Sequence, residues 1–207
     1  MFTSVRPLAV AVVAGTLLLS ACGGGDDADS SDAASADSVA PSPDASFNDA
    51  DVMFAQGMIP HHEQAVEMAS IALRPESGAS DEVQALATEI QESQDPEIDT
   101  MTQWLQTWGQ PTEMPGMDGM DHTAGMEGME GMEGMMSEDQ MSSLADLSGA
   151  EFDTAWTTMM IEHHQGAIAQ AETVKTSGSN PEVLALADEI IRAQRAEITQ
   201  MQALPAD

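Results

Sequence analysis

The chain has 207 residues, 36 of them acidic and only 5 basic, and its formal charge of −31 excludes nucleic acid and anionic lipid headgroups as partners while drawing cations. It has no tyrosine, four phenylalanines and three tryptophans, so a core must be built from Ala, Leu, Ile, Val and Met, which suits close helix packing better than a sheet. A single cysteine excludes an internal disulfide and a thiolate metal site, leaving methionine as the soft ligand.

Residues 1–21 read as an export signal. Arg6 stands before the apolar run Leu8–Leu19, whose 12 residues are too short to span a bilayer as a stable helix. The run ends in Leu19-Ser20-Ala21-Cys22, which resembles the bacterial lipobox. Cleavage before Cys22 and acylation of its thiol are therefore expected, anchoring the chain to the outer face of the cell membrane or in the periplasm. Residues 22–45 are Gly, Asp, Ser, Ala and Pro with almost nothing to bury, the composition of a flexible, disordered acidic tether.

Residues 46–108 are expected to form a first helical hairpin. Its first helix starts near Ser46–Asp49 and runs to about Arg74, bent at Pro60, where a helical hydrogen bond is lost. Gly78 is placed to close that helix and Ser80 to cap the next, which runs to about Trp108. Residues 138–207 repeat the plan. A Ser148-x-x-Glu151 capping box is expected to open a helix to about Thr176, with Gly178 closing it and Asn180-Pro181 starting the last.

Between them, residues 109–137 form a Met- and Gly-rich linker. Met114, Met117, Met120, Met126, Met129, Met132, Met135 and Met136 recur mostly every third residue, with His122 among them. Glycine at similar spacing disfavours helix. It leaves a backbone able to fold round an ion while thioethers and one imidazole point at it, a donor set suited to Cu(I), with Ag(I) as its mimic. Such a stretch has too little apolar surface to join a packed core.

The two hairpins are copies of one unit of about 55 residues. Asp51, Phe54, Met58, Ile59, His61, His62, Ala65 and Ala69 recur 102 residues later, conservatively or identically, as Asp153, Trp156, Met160, Ile161, His163, His164, Ala167 and Ala171. Further on the offset falls to 100, where Glu82, Ile90, Gln94, Glu97, Ile98 and Met101 recur as Glu182, Ile190, Gln194, Glu197, Ile198 and Met201. A unit this short cannot easily bury its own apolar face, so the copies should pack on each other. The expected fold is all-α, a four-helix bundle of two duplicated αα-hairpins.

Neighbouring helix residues point about 100° apart, so His61 and His62 cannot both face the centre. The seam through His62 and His164 continues to Ala171, whereas that through His61 and His163 meets polar Gln170, which favours His62 and His164 as the more inward pair. Facing Ala72 with Val83 across the turn puts Met58 level with Glu97 and His61 level with Gln94; the second copy does the same with Met160 and Glu197. Each hairpin would then gather Met, His, Glu and Met at one level, giving the candidate metal set Met58, His61, His62, Glu97, Met101, Met160, His163, His164, Glu197 and Met201. Zinc is disfavoured by thioethers without thiolates, and a di-iron site lacks its Glu-x-x-His spacing. No nucleophilic triad or phosphate loop is visible.

The Met-Ile-x-His-His segments, followed by Ala-(Val/Ile) and later by Gln-x-x-Glu-Ile-x-x-Met, resemble the bacterial domain-of-unknown-function family 305. The resemblance implies a ferritin-like helical bundle, export, and copper as cargo, because the family has periplasmic copper-binding members. By position it marks Met58, His61, His62 and Met101, and Met160, His163, His164 and Met201. The chain departs from the motif at Glu162, where proline is common. The expected function is a membrane-tethered, extracytoplasmic copper-binding protein that buffers, resists or delivers Cu(I), with a copper-handling protein as partner. The alternatives are a copper-dependent oxidoreductase of the cuprous oxidase type and a non-metal envelope interaction module.

Overall fold

The computed structural model describes residues 46–113 and 133–204. The expected signal peptide (1–21), Cys22, the tether (22–45) and the linker residues Met114, Met117, Met120, His122, Met126, Met129 and Met132 lie outside the described residues. The described part is all-α: α1 (Asp49–Ala72), α2 (Asp81–Trp108), α3 (Glu138–Ala145), α4 (Gly149–Ser177) and α5 (Pro181–Gln202), with one 3₁₀ turn at Pro75–Ser77.

Local chemistry sets most of these ends. Asn48 accepts from the Asp51 N–H while Asp51 accepts from the Asn48 N–H, a reciprocal cap that opens α1. Helix α1 continues through Pro60. Ser80 caps α2 by accepting from the Val83 N–H, and Gly109 ends it in the left-handed region. Asn180 caps α5, with Pro181 in its first turn. Three expectations need correction. Gly78, at φ +54, closes the 3₁₀ turn rather than α1, which ends at Ala72 with Leu73 as its cap, five residues before Gly78. Ser148 precedes α4 but its side chain makes no capping bond. Helix α3 was not expected; Ser137 and Gln140 form its capping box, and Met141 and Leu144 bury one face of it.

Helix α1 packs on α2 and α4 on α5, and the two hairpins meet mainly through α1 and α4. These run antiparallel, so the start of each lies beside the end of the other. One apolar cluster joins Phe54, Met58, Met101 and Trp104 of the first hairpin to Ala167, Val174, Leu186 and Ile190 of the second. The other joins Met68, Val83 and Ile90 to Phe152, Trp156, Met160 and Met201, with Met136, Met141 and Leu144 beside them. Each cluster draws on both hairpins, so neither hairpin closes a core of its own.

Reciprocal caps tie the halves further. Buried Asp51 accepts from the N–H groups of Ser179 and Asn180 and from the Ser179 hydroxyl, each at 3.1 Å, at the mouth of α5. Its counterpart Asp153 accepts from the Ser80 N–H at 3.1 Å, at the mouth of α2. Among the described residues no helix is long and apolar enough to cross a membrane.

Candidate metal centre

Between the two apolar clusters lies a polar layer. His61 and His62 on α1 and His163 and His164 on α4 are all fully buried in it, together with Gln64, Gln94 and Gln194. Consecutive residues diverge by about 100°, so one ring of each pair faces the other hairpin and one faces its own partner helix. His61 and His163 are the pair that face across, with ring centroids 3.9 Å apart and planes inclined at 47°. His62 and His164 turn sideways instead. The His62 Nε2 lies 2.7 Å from Glu97 Oε2 on α2, and the His164 Nε2 lies 2.6 Å from Glu197 Oε2 on α5.

This reverses the expectation that His62 and His164 are the inward pair. Gln170 on the other seam was weighed as a sign of solvent, but it lies two turns beyond His163 and is half-buried, so it does not report where His163 itself points. The register is also displaced by one helical turn: His62, not Met58, stands against Glu97, and His164, not Met160, against Glu197. On the corrected register Met58 comes level with Met101 and Met160 with Met201. Each of these pairs is buried within one apolar cluster. Each hairpin thus stacks a methionine pair one turn from a His–Glu pair, rather than gathering all four at one level.

The hydrogen bonds assign the ring protons. A carboxylate only accepts, so Nε2 of His62 and of His164 carries a proton, and in the neutral ring Nδ1 keeps its lone pair. The His61 Nε2 lies 3.3 Å from the Glu133 carbonyl, which assigns it the same tautomer. The Nδ1 atoms of all four histidines, and the Nε2 of His163, are buried without a hydrogen bond of good geometry. Both amide atoms of Gln94 and the Oε1 of Gln194 share that condition. Each such group costs about 1–3 kcal/mol when nothing meets it.

Burial sets the charge of the central pair. It lowers the pKa of His61 from 6.5 to about 3, with His62 adding to the effect and the Glu133 carbonyl opposing it. His163 is held well below its ordinary value by burial first, then by His61, His164 and His62. Both rings are neutral at ordinary pH, the form in which imidazole coordinates a metal. Among the described residues no three His, Cys, Asp or Glu side chains form a ready-made ligand set.

Met135 and Met136, expected in the linker, lie at its described end. Met135 is half-buried, and Met136 is buried in an apolar cluster, contrary to the expectation that the linker contributes nothing to the core. Gln64 holds Met136 by its backbone, a role that sequence reasoning did not assign. The available signal was a break in the duplication, since the residue 102 positions after Gln64 is Gly166.

The sequence matches the family described as Domain of unknown function (DUF305) over residues 51–205. Among solved structures, a DUF305 fragment from Deinococcus radiodurans is 33% identical, with 75% of this chain and 94% of that one covered and a TM-score of 0.63. A DUF305 protein from Streptomyces coelicolor, described as secreted, is 30% identical over 73% of this chain and 89% of its own, with a TM-score of 0.61. CopM in its Cu(II)-bound form is 37% identical over 73% of this chain and 93% of its own, with a TM-score of 0.59. CopM is also solved in Cu(I)-bound and Ag-bound forms. No curated protein matches the chain.

Proposed function

This chain belongs to the DUF305 family, and we propose that it binds copper in its buried histidine layer, holding Cu(I) outside the cytoplasm for buffering, resistance or delivery. The observation that carries this reading is the set of five imidazole nitrogens buried in one layer without a hydrogen bond of good geometry. Histidines kept only for packing would be replaced at a gain by apolar side chains, because each unmet nitrogen is destabilising. Coordination meets the one lone-pair nitrogen that each neutral ring offers. The similarity to CopM, which is solved with Cu(I), Cu(II) and Ag, supports copper as the ion.

In this reading His61, His62, His163 and His164 bind through Nδ1, and Met58, Met101, Met160 and Met201 supply the soft sulfur that favours Cu(I) and Ag(I). Glu97 and Glu197, first considered as ligands, hold the rings of His62 and His164 from behind and fix their tautomer. The linker methionines and His122 form a second, looser set of soft donors. Export and lipid anchoring at Cys22 complete the proposal, supported by the lipobox-like segment and by the secreted description of the Streptomyces relative. Replacing Cys22 with Ala should move the protein out of the membrane fraction and abolish lipid labelling.

The test is a competition titration of the mature protein with Cu(I), Ag(I), Cu(II) and Zn(II), beside a variant with all four layer histidines replaced by Leu. The expected result is tight Cu(I) and Ag(I), weak Zn(II), and loss of the layer's ions in the variant while linker-bound ions remain. A variant that binds as many Cu(I) ions as the wild type, with equal affinity, would refute the assignment.

A further inference from the structure

The duplication is broken inside the histidine layer. Gln64 follows His61 by three residues, and Gly166 follows His163 by three. Both meet the same object, the strap of residues 133–136 that leads into α3. The buried Gln64 side chain makes two hydrogen bonds to one residue of it: the Met136 N–H donates to Gln64 Oε1 at 2.7 Å, and Gln64 Nε2 donates to the Met136 carbonyl at 2.8 Å. Gly166 contributes by what it lacks. A Cβ there would overlap the Glu133 carbonyl and lie 2.8 Å from Gly134 Cα. Gly134 has φ +86, and a Cβ on it would fall 2.8 Å from the Glu162 carbonyl and 3.0 Å from that of His163. The strap therefore crosses α4 backbone against backbone, and its Glu133 carbonyl is what accepts from His61 Nε2.

We propose that Gln64 and Gly166 are positioning residues that seat the strap Glu133–Met136 beside His61 and His163, so that the strap fixes the His61 ring and governs access to the central histidine pair. All four histidines are fully buried, so nothing reaches them unless an element moves. The helices around them are held by long apolar interfaces. The strap is held by the Gln64 clamp, the Met136 side chain, one contact to His61 and the side-chain-free crossing of α4 at Gly134 and Gly166. It is the element with least to break. The rings of His62 and His164 are held instead by Glu97 and Glu197 and follow their own hairpins. The significance for an ion rests on the copper reading; the structural claim does not.

The test uses metal-free mature protein and diethylpyrocarbonate, with modification of each histidine followed by mass spectrometry. Three variants are compared with wild type: Gln64→Ala, Gln64→Met, which keeps volume without the clamp, and Gly166→Ala, which displaces the strap while improving helix propensity. Modification of His61 and His163 should accelerate about tenfold in each, the scale of one or two lost hydrogen bonds, and that of His62 and His164 by less than about twofold. Release of Ag(I) to a competing thiol should accelerate by the same factor. Unchanged rates at His61 and His163, or equal acceleration at all four histidines, would overturn the proposal. If the copper reading alone is wrong, wild type takes up no Ag(I) at its histidines while the selective acceleration persists.

Discussion

Acid should unfold this protein through its central histidine pair, and the size of the effect follows from burial. His61 is neutral in the folded state down to a pKa of about 3, against 6.5 when exposed. Because the folded value is depressed, the associated stability is complete above 6.5 and is lost as pH falls from there toward 3. Near pH 5 the unfolded chain holds a proton on this histidine and the folded chain does not, a loss of about 2 kcal/mol for one residue. His163 is shifted in the same direction by the same causes and adds to the loss. The acidic surface works against this, since protonating carboxylates relieves repulsion in a chain of net charge −31. A comparison isolates the term: urea denaturation of metal-free wild type and of His61→Leu/His163→Leu at pH 7.5 and pH 5, followed by circular dichroism. The double variant keeps His62, His164 and every carboxylate, so their contributions cancel. Wild type should lose at least about 2 kcal/mol more than the variant between the two conditions. Parallel losses would show that the central rings are charged or exposed in the folded state and refute the reasoning.

Asp51→Ala leaves the Ser179 and Asn180 N–H groups unmet and should cost about 2–3 kcal/mol in urea denaturation, against about 1 kcal/mol for Asp153→Ala, which serves Ser80 alone; equal losses would refute the unequal caps. Deleting 114–132 should leave helical content and melting temperature unchanged, whereas extending the deletion through Met136 removes a buried side chain and should cost about 2–5 kcal/mol. Ag(I) at about a hundredfold excess over its Kd should stabilise wild type by about 2.7 kcal/mol in thermal melts and the four-histidine variant hardly at all.

The duplication and the helix ends at Ser80, Trp108 and Asn180 were legible because they rest on residue identity and spacing alone. Gly78 and Ser148 were misread because a stop or cap residue says that a turn is near, not which turn it closes. Helix α3 escaped notice although Ser137-x-x-Gln140 followed by Met141 and Leu144 carries a capping box and an apolar face. It fell at the head of the expected second hairpin (138–207), whose first helix was placed to open only at Ser148. The orientation of each histidine pair was not readable for a deeper reason. Two adjacent histidines offer two seams, and only the packing of α1 on α4 chooses between them. The strap was invisible because its partners, Gln64 and Gly166, differ from each other, and a search for repeats rewards sameness.

A duplicated hairpin turns one sequence choice into two structural outcomes, depending on where the residue falls relative to the seam between copies. His61 and His163 fall on it, so the same choice made twice yields one facing pair at 3.9 Å, shared by both hairpins. His62 and His164, one residue further on, are rotated off the seam and become two separate positions, each with its own glutamate. On the copper reading proposed above, the halves are therefore not independent sites. Replacing His62 should weaken one position and spare the other, while replacing His61 should weaken the shared centre and with it both hairpins' binding. Cu(I) titrations of His62→Ala, His164→Ala and His61→Ala test this. Loss of about half the layer's capacity in the first two, and a drop in affinity across the whole layer in the third, is the expected pattern. A His61→Ala protein that loses only the first hairpin's share, with the second unaffected, would mean that each hairpin binds alone and that the facing rings are packing.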